Sequence, residues 1–367
     1  MKQSVLIAIL ISFTTESICQ VTETREENTG KLFLDLKTIS FIKNNEYFNP
    51  VTEGYTLIGS FVRPEIIFAP SGNFEIGLGV HQQLYSGAPE ISAPALLFKA
   101  RWKISKSSTL TLGALDGSDK HRMYDPHFNS EKIYTTYTEN GASFVTETGR
   151  LFSDTWINWE NFIFRGDTVR ETFTAGESFN YKPPLPAGFM ELHFPLQLKF
   201  KHFGGQISNY SGHVLTFLNF SAGAGADFIF ADGKFGTPGI EYMQFIYREV
   251  TRKGDMGITE GSASWVRLFY RYQWLYLGSY FWFSNNFYAP DGNQIYSSIS
   301  DYQKGYIIPE RKIWTSAAYI TLKPHSLFEM LLGFEGYYDF RLKRMDSAVA
   351  FHINFSRRIK VATMKNE

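Results

Sequence analysis

GFMELHFPLQLKFK, Gly188–Lys201, is the stretch that decides the fold class. Met190, Leu192, Phe194, Leu196, Leu198 and Phe200 occupy the even positions, all large and apolar. Glu191, His193, Pro195, Gln197, Lys199 and Lys201 occupy the odd ones. A period of two held this long specifies a β-strand with one oily and one charged face. Strands in soluble sheets average about 5 to 6 residues, whereas about 9 to 11 tilted residues cross a bilayer. In a soluble sandwich the apolar face would turn to a core. A membrane barrel inverts this, apolar side to lipid and polar side to a wet lumen.

The rest of the chain favours the barrel. Its 367 residues carry 36 Lys+Arg and 36 Asp+Glu, so net charge is zero. A nucleic-acid partner would call for a basic excess, and none is expected. Aromatic residues stand out, with 34 Phe, 21 Tyr and 7 Trp making 17% of the chain, as a lipid-facing band with two interfacial girdles requires. The opening MKQSVLIAILISFTTESICQ has Lys2, an apolar run from Val5 to Ile11 and small residues before Gln20, the pattern of a secretory leader spanning 1–19. Cys19 is the only cysteine; a lipidated Cys19 is the weaker alternative because bulky Ile18 precedes it. After the leader no run reaches the roughly 18 apolar residues of a membrane helix.

Alternating segments recur throughout. Leu32, Leu34 and Leu36 oppose Phe33, Asp35 and Lys37; Ile66 and Phe68 oppose Arg63 and Glu65; Leu96, Phe98 and Trp102 oppose Lys99, Arg101 and Lys103; Val349, Phe351, Ile353 and Phe355 oppose His352 and Asn354. The parity slips near Met243, where a β-bulge is expected, and His202–Gly212 reads as a loop. The total is about sixteen strands (14 to 18), joined alternately by short turns and longer loops. The expected organisation is a signal peptide at 1–19, a polar tail at 20–30, one transmembrane barrel at 31–357 and a short basic tail at 358–367. Closure is obligatory, since an open sheet edge in lipid leaves backbone groups unpaired at several kcal/mol each.

In this pattern of leader, alternating strands, aromatic excess and a final strand ending near Phe355, the chain resembles the Gram-negative outer-membrane β-barrel class as a whole, porin-like in architecture. The resemblance implies residence in the cell outer membrane, contact with its lipid and lipopolysaccharide, and possible homo-oligomers.

Parity sends Arg63, Glu65, Lys99, Arg101, Lys103, Glu191, His193, Lys199, Lys201, Arg267, Arg271, Glu329, Glu335 and His352 inward as the expected pore lining, with Glu75, His81, Glu160, Glu177 and Asp339 on the same side. Wall charges of this kind set a pore's selectivity, and Lys99, Arg101 and Lys103 form the tightest group. The leading expectation is therefore a passive channel for small polar or charged solutes. The alternatives are a conduit for polysaccharide export and a barrel anchoring a surface binding or lipid-modifying activity. Whether loops 116–141 and 285–310 leave the mouth open separates channel from anchor.

No catalytic residue, cofactor or metal is assigned. Barrel phospholipases use a His with a Ser two residues on, and none of the eight histidines has one, so the chain reads as non-enzymatic. His121 and His127 with Asp119 and Asp125 could ligate a metal, but polar loops assemble such groups by chance. No phosphate-cradling loop, HExxH or dinucleotide fingerprint occurs.

Overall fold

A computed structural model describes residues 28–115, 121–185, 188–230 and 234–364. The expected leader and most of the N-terminal tail lie outside the described residues, as does Asp119. Sixteen antiparallel strands close into one barrel in which each strand pairs with its sequence neighbours and the last pairs with the first. They are β1 (Lys31–Glu46), β2 (Thr56–Ser71), β3 (Phe74–Tyr85), β4 (Ala95–Lys103), β5 (Ser108–Leu115), β6 (Glu139–Glu147), β7 (Leu151–Asn161), β8 (Glu171–Tyr181), β9 (Met190–Gly204), β10 (Leu215–Phe228), β11 (Thr237–Glu249), β12 (Glu260–Tyr272), β13 (Leu275–Asn285), β14 (Glu310–His325), β15 (Phe328–Asp339) and β16 (Arg344–Thr363). Sixteen strands can enclose an aqueous channel. Among the described residues no helix is long and apolar enough to cross a membrane.

The deciding stretch lies as its parity requires. Phe194 is 42% exposed on the outer face, while Lys199 is fully buried inside. β9 runs on to Gly204, so His202 belongs to a strand and not to the loop expected there. β16 likewise continues to Thr363, past the boundary at residue 357, because Arg358 still faces inward and binds Asp35 at 2.7 Å and Glu75 at 2.9 Å.

The expected bulge near Met243 is absent, and β11 keeps unbroken register with both β10 and β12. Its alternation blurs for another reason. Met243, Phe245 and Tyr247 point into the lumen and are fully buried there, alongside Trp265 of β12 and Trp282 of β13. Both faces of this sector are apolar because its inner side meets packed protein rather than water.

That protein is two outer loops. Residues 121–138, with a one-turn helix α1 (Lys132–Thr135), and residues 286–309 both fold into the barrel. Phe287, Ile295 and Tyr296 join the buried aromatic cluster, with the Phe287 ring centroid 5.0 Å and the Tyr296 centroid 5.2 Å from Trp282. Tyr134 and Tyr137 pack on Phe41 and Phe61 across the lumen. The β1–β2 loop closes over the top, with Thr52 donating to Asp301 at 2.7 Å and Tyr302 to the Asn49 carbonyl at 3.0 Å.

Candidate functional site

The charges that parity sends inward do face the lumen, but they are bonded to one another and to the inserted loops. Glu65 lies 2.6 Å from Arg63 and 3.0 Å from Lys99, and Arg101 lies 3.9 Å from Glu75. Lys103 follows them on the same face at the periplasmic end, half-buried. Glu241 gathers Arg267 at 2.6 Å, His193 at 2.9 Å and the Tyr124 hydroxyl of the first loop. Arg271 binds Asp227 at 2.6 Å. Glu335 lies 3.7 Å from Lys43, and the Tyr134 hydroxyl shares a 2.9 Å hydrogen bond with His352. Near the periplasmic rim the pairs are open to water, as in Lys182–Glu191 at 2.8 Å and Lys323–Glu329 at 3.1 Å. Glu177 departs from expectation. It shares the parity of lipid-facing Phe173 and Phe179, sits opposite Thr155 and accepts hydrogen bonds from Ser153 and Thr155 on the outer wall.

Gly225 shows how closely this interior is built. A Cβ there would lie 2.2 Å from the His193 ring, so glycine leaves the room that lets His193 reach Glu241.

The two loops are fastened by charge. Asp291 lies 2.8 Å from Lys132 of α1, 3.2 Å from Lys199 and 3.0 Å from Lys201. Burial raises its pKa, but the three ammonium groups outweigh that and hold it well below the ordinary carboxylate value. Lys201 also binds Glu160. His121 is clasped by Glu139 at 2.7 Å and Asp154 at 2.8 Å and stacks on Trp156 at 4.0 Å. Burial opposes its charge, yet the two carboxylates push its pKa to about 9, so both ring nitrogens are committed as donors. The proposed pairing of His121 with His127 and Asp125 about a metal is not formed; among the described residues no group of three His, Cys, Asp or Glu is placed to hold one.

Lumen chemistry is thus closed off from solvent. His127 Nδ1 lies 3.5 Å from Ser221 Oγ, the composition of a hydrolytic pair, and burial with the Lys199 charge keeps the imidazole neutral. Both residues are fully buried under the second loop, where no lipid or sugar can reach.

The outer wall offers a different pair. His202 near the top of β9 and Thr216 at the start of β10 are cross-strand partners, and His202 Nδ1 and Thr216 Oγ1 share a hydrogen bond of 2.9 Å. Both have the parity of lipid-facing Phe200 and are half-buried. The imidazole stacks on Phe173 of β8 at 4.9 Å, and Phe173 stacks on Trp159 of β7 at 5.1 Å, an aromatic girdle at the outer interface. A search for His and Ser two residues apart misses this pair, because its partners are fourteen residues apart and meet only through strand pairing.

A family model described as lipid A 3'-O-deacylase-type matches residues 24–364. The chain belongs to the lipid A 3'-O-deacylase-type family. Membership in this family, named for an enzyme activity, overturns the expectation of a non-enzymatic barrel. That expectation failed because it tested one linear spacing, whereas a barrel assembles its polar groups across strands. No curated protein sequence matches this lipid A 3'-O-deacylase-type chain. Solved structures share its architecture. The outer membrane protein OprD from Pseudomonas aeruginosa aligns with a TM-score of 0.54 at 10% identity, over 92% of this chain and 97% of that one. A loop-deletion form of OmpT from Vibrio cholerae aligns with a TM-score of 0.51 at 10% identity, over 89% and 99%. OccAB3 of Acinetobacter baumannii gives 0.50 at 11% identity, over 89% and 99%. At such identities these likenesses show the fold alone, a closed antiparallel β-barrel of the outer-membrane type.

Proposed function

We propose that this barrel is a membrane-anchored hydrolase that cleaves an ester-linked acyl chain from lipid A in the outer leaflet, working from the lipid side of its wall. The filled lumen carries this reading. A passive conduit for small polar solutes needs a continuous water path, whereas here the inward face of β9–β13 is buried under Phe287, Ile295, Tyr296 and the lysine-bound Asp291. Fully formed ion pairs between loop and wall are the contacts of a plug. With the interior committed to anchoring, surface for lipid chemistry remains on the outside, where the substrate of the family's namesake activity resides. Lipid and lipopolysaccharide are accordingly the expected partners, in place of a transported solute.

The test compares two properties of the purified protein. Reconstituted with lipopolysaccharide, it should release free fatty acid and leave a lipid A lighter by one acyl chain in mass spectra, and in a planar bilayer it should give no stepwise conductance. Regular conductance steps with unaltered lipid A would reject the hydrolase in favour of the channel.

A further inference from the structure

We propose that the cleft at the outer mouth of the barrel, between the β1–β2 loop, the second inserted loop and the β15–β16 turn, binds the anionic sugar headgroup of an outer-leaflet glycolipid. This deepens the hydrolase reading above, on which it rests only in calling that glycolipid the substrate.

The cleft has a volume of about 490 Å³, within the usual range of ligand sites. Phe48, Tyr302 and Tyr306 line it and remain 63, 40 and 37% exposed, although they belong to outer loops and not to the lipid-facing wall. Aromatic surface left open to water in this way marks an interaction site. Gln303 and Arg344 supply the polar part of the lining. A pyranose has an apolar C–H face and a rim of hydroxyls, so flat rings beside an amide and a guanidinium are complementary to it.

The charge of the lining selects an anionic sugar. Arg344 is its one ionic group, and no carboxylate joins it there. The guanidinium donates to the Phe48 carbonyl, which holds it at the wall and leaves further donors for a phosphate or carboxylate. Among the described residues neither Arg344 nor the exposed Lys343 beside it forms an ion pair. Neighbouring acids are already bonded: Asp301 to Thr52 at 2.7 Å, Glu310 to Arg341, and buried Asp346 to the β1–β2 loop.

The walls are tied together before any ligand arrives. Asp346 accepts from the Phe48 amide at 2.6 Å and from the Asn49 side chain at 2.9 Å. The Tyr302 hydroxyl donates to the Asn49 carbonyl at 3.0 Å and accepts from the Gln303 side chain at 3.0 Å. Ser300 Oγ accepts from the Gln303 amide at 2.9 Å. The loop that carries both tyrosines is also anchored in the lumen through Asp291. Such a site loses little conformational freedom on binding. Just below it, Met345, Val349 and Phe334 are exposed on the lipid-facing wall, so a molecule with its sugars in the cleft can lay its acyl chains there.

The probe is lipopolysaccharide stripped of its acyl chains by alkali, which is water-soluble and keeps its phosphates, titrated calorimetrically into the full-length protein in detergent. Wild type should bind it. Tyr306→Ala should weaken binding by about tenfold, the loss of an aromatic contact. Arg344→Gln should weaken it by about tenfold or more, the loss of hydrogen bonds to a charged group, and this effect should shrink once phosphatase has acted on the probe. Heat-modifiable gel mobility reports folding of each variant independently. No binding by wild type, or undiminished binding by folded Y306A and R344Q, overturns the assignment. Equal affinity for alginate also overturns it, since the cleft would then serve free acidic polysaccharide. Fatty acid release from lipopolysaccharide vesicles, measured alongside, keeps the two readings apart. Release without sugar binding overturns the cleft alone, and sugar binding without release overturns the hydrolase alone.

Discussion

Replacing Asp291 with alanine should release the second loop from the lumen. The carboxylate sits among Lys132, Lys199 and Lys201 at 2.8, 3.2 and 3.0 Å. Of the three, Lys201 keeps Glu160 and Lys132 keeps its place over the Phe128 ring at 4.7 Å. Lys199, with no exposure to water, is left only the His127 carbonyl among its hydrogen-bond partners. Removing one member of a buried ion pair costs about 3–5 kcal/mol because the remaining charge is stranded. Spread over the docked and undocked states of the loop, that shifts their ratio by about two to three and a half powers of ten. The barrel should survive, since its strands are held by a closed ladder of backbone hydrogen bonds that does not include Asp291. In planar bilayers the variant should therefore show discrete openings where wild type is silent, and residues 286–309 should become sensitive to protease. Asp291→Asn should behave alike, because the lysines need the charge and not the volume. A D291A protein as silent and as protease-resistant as wild type would refute the claim that this cluster holds the plug.

The His121 clasp should make docking of the first loop depend on pH. Its folded pKa, about 9, is raised above the ordinary value of 6.5, so the stabilisation is fully present below about pH 6.5 and is lost as pH rises through about 9. The difference amounts to about 3 kcal/mol. Limited proteolysis of residues 121–138 across that window should report it, and His121→Gln should flatten the profile. Trp282→Ala removes a fully buried ring that packs on Phe287 and Tyr296, and a loss of about 3–5 kcal/mol should appear as a lower unfolding temperature in detergent. An unchanged midpoint would mean that the aromatic cluster is not a packed core.

Local sequence determined the wall of this protein. A strand in a barrel meets lipid on one side wherever it lies along the chain, so the period of two in Met190–Phe200 or Val349–Phe355 carries its own orientation. Alternating short and long connections then fix the direction of each strand, and closure follows because lipid tolerates no unpaired edge. What fills the cylinder was not legible in this way. Met243 and Trp282 face inward against the simple rule of a wet lumen, because two loops remote in sequence displace the water there. Of the three lysines on Asp291, Lys132 comes from the other loop and Lys199 and Lys201 from β9, and His202 meets Thr216 only through the pairing of β9 with β10. These contacts depend on strand register and on where long loops come to rest, which are properties of the closed barrel and not of any single segment. So the chain's alternation decided that it spans the membrane as a barrel, while its tertiary structure decided that the barrel's interior is filled by its own loops.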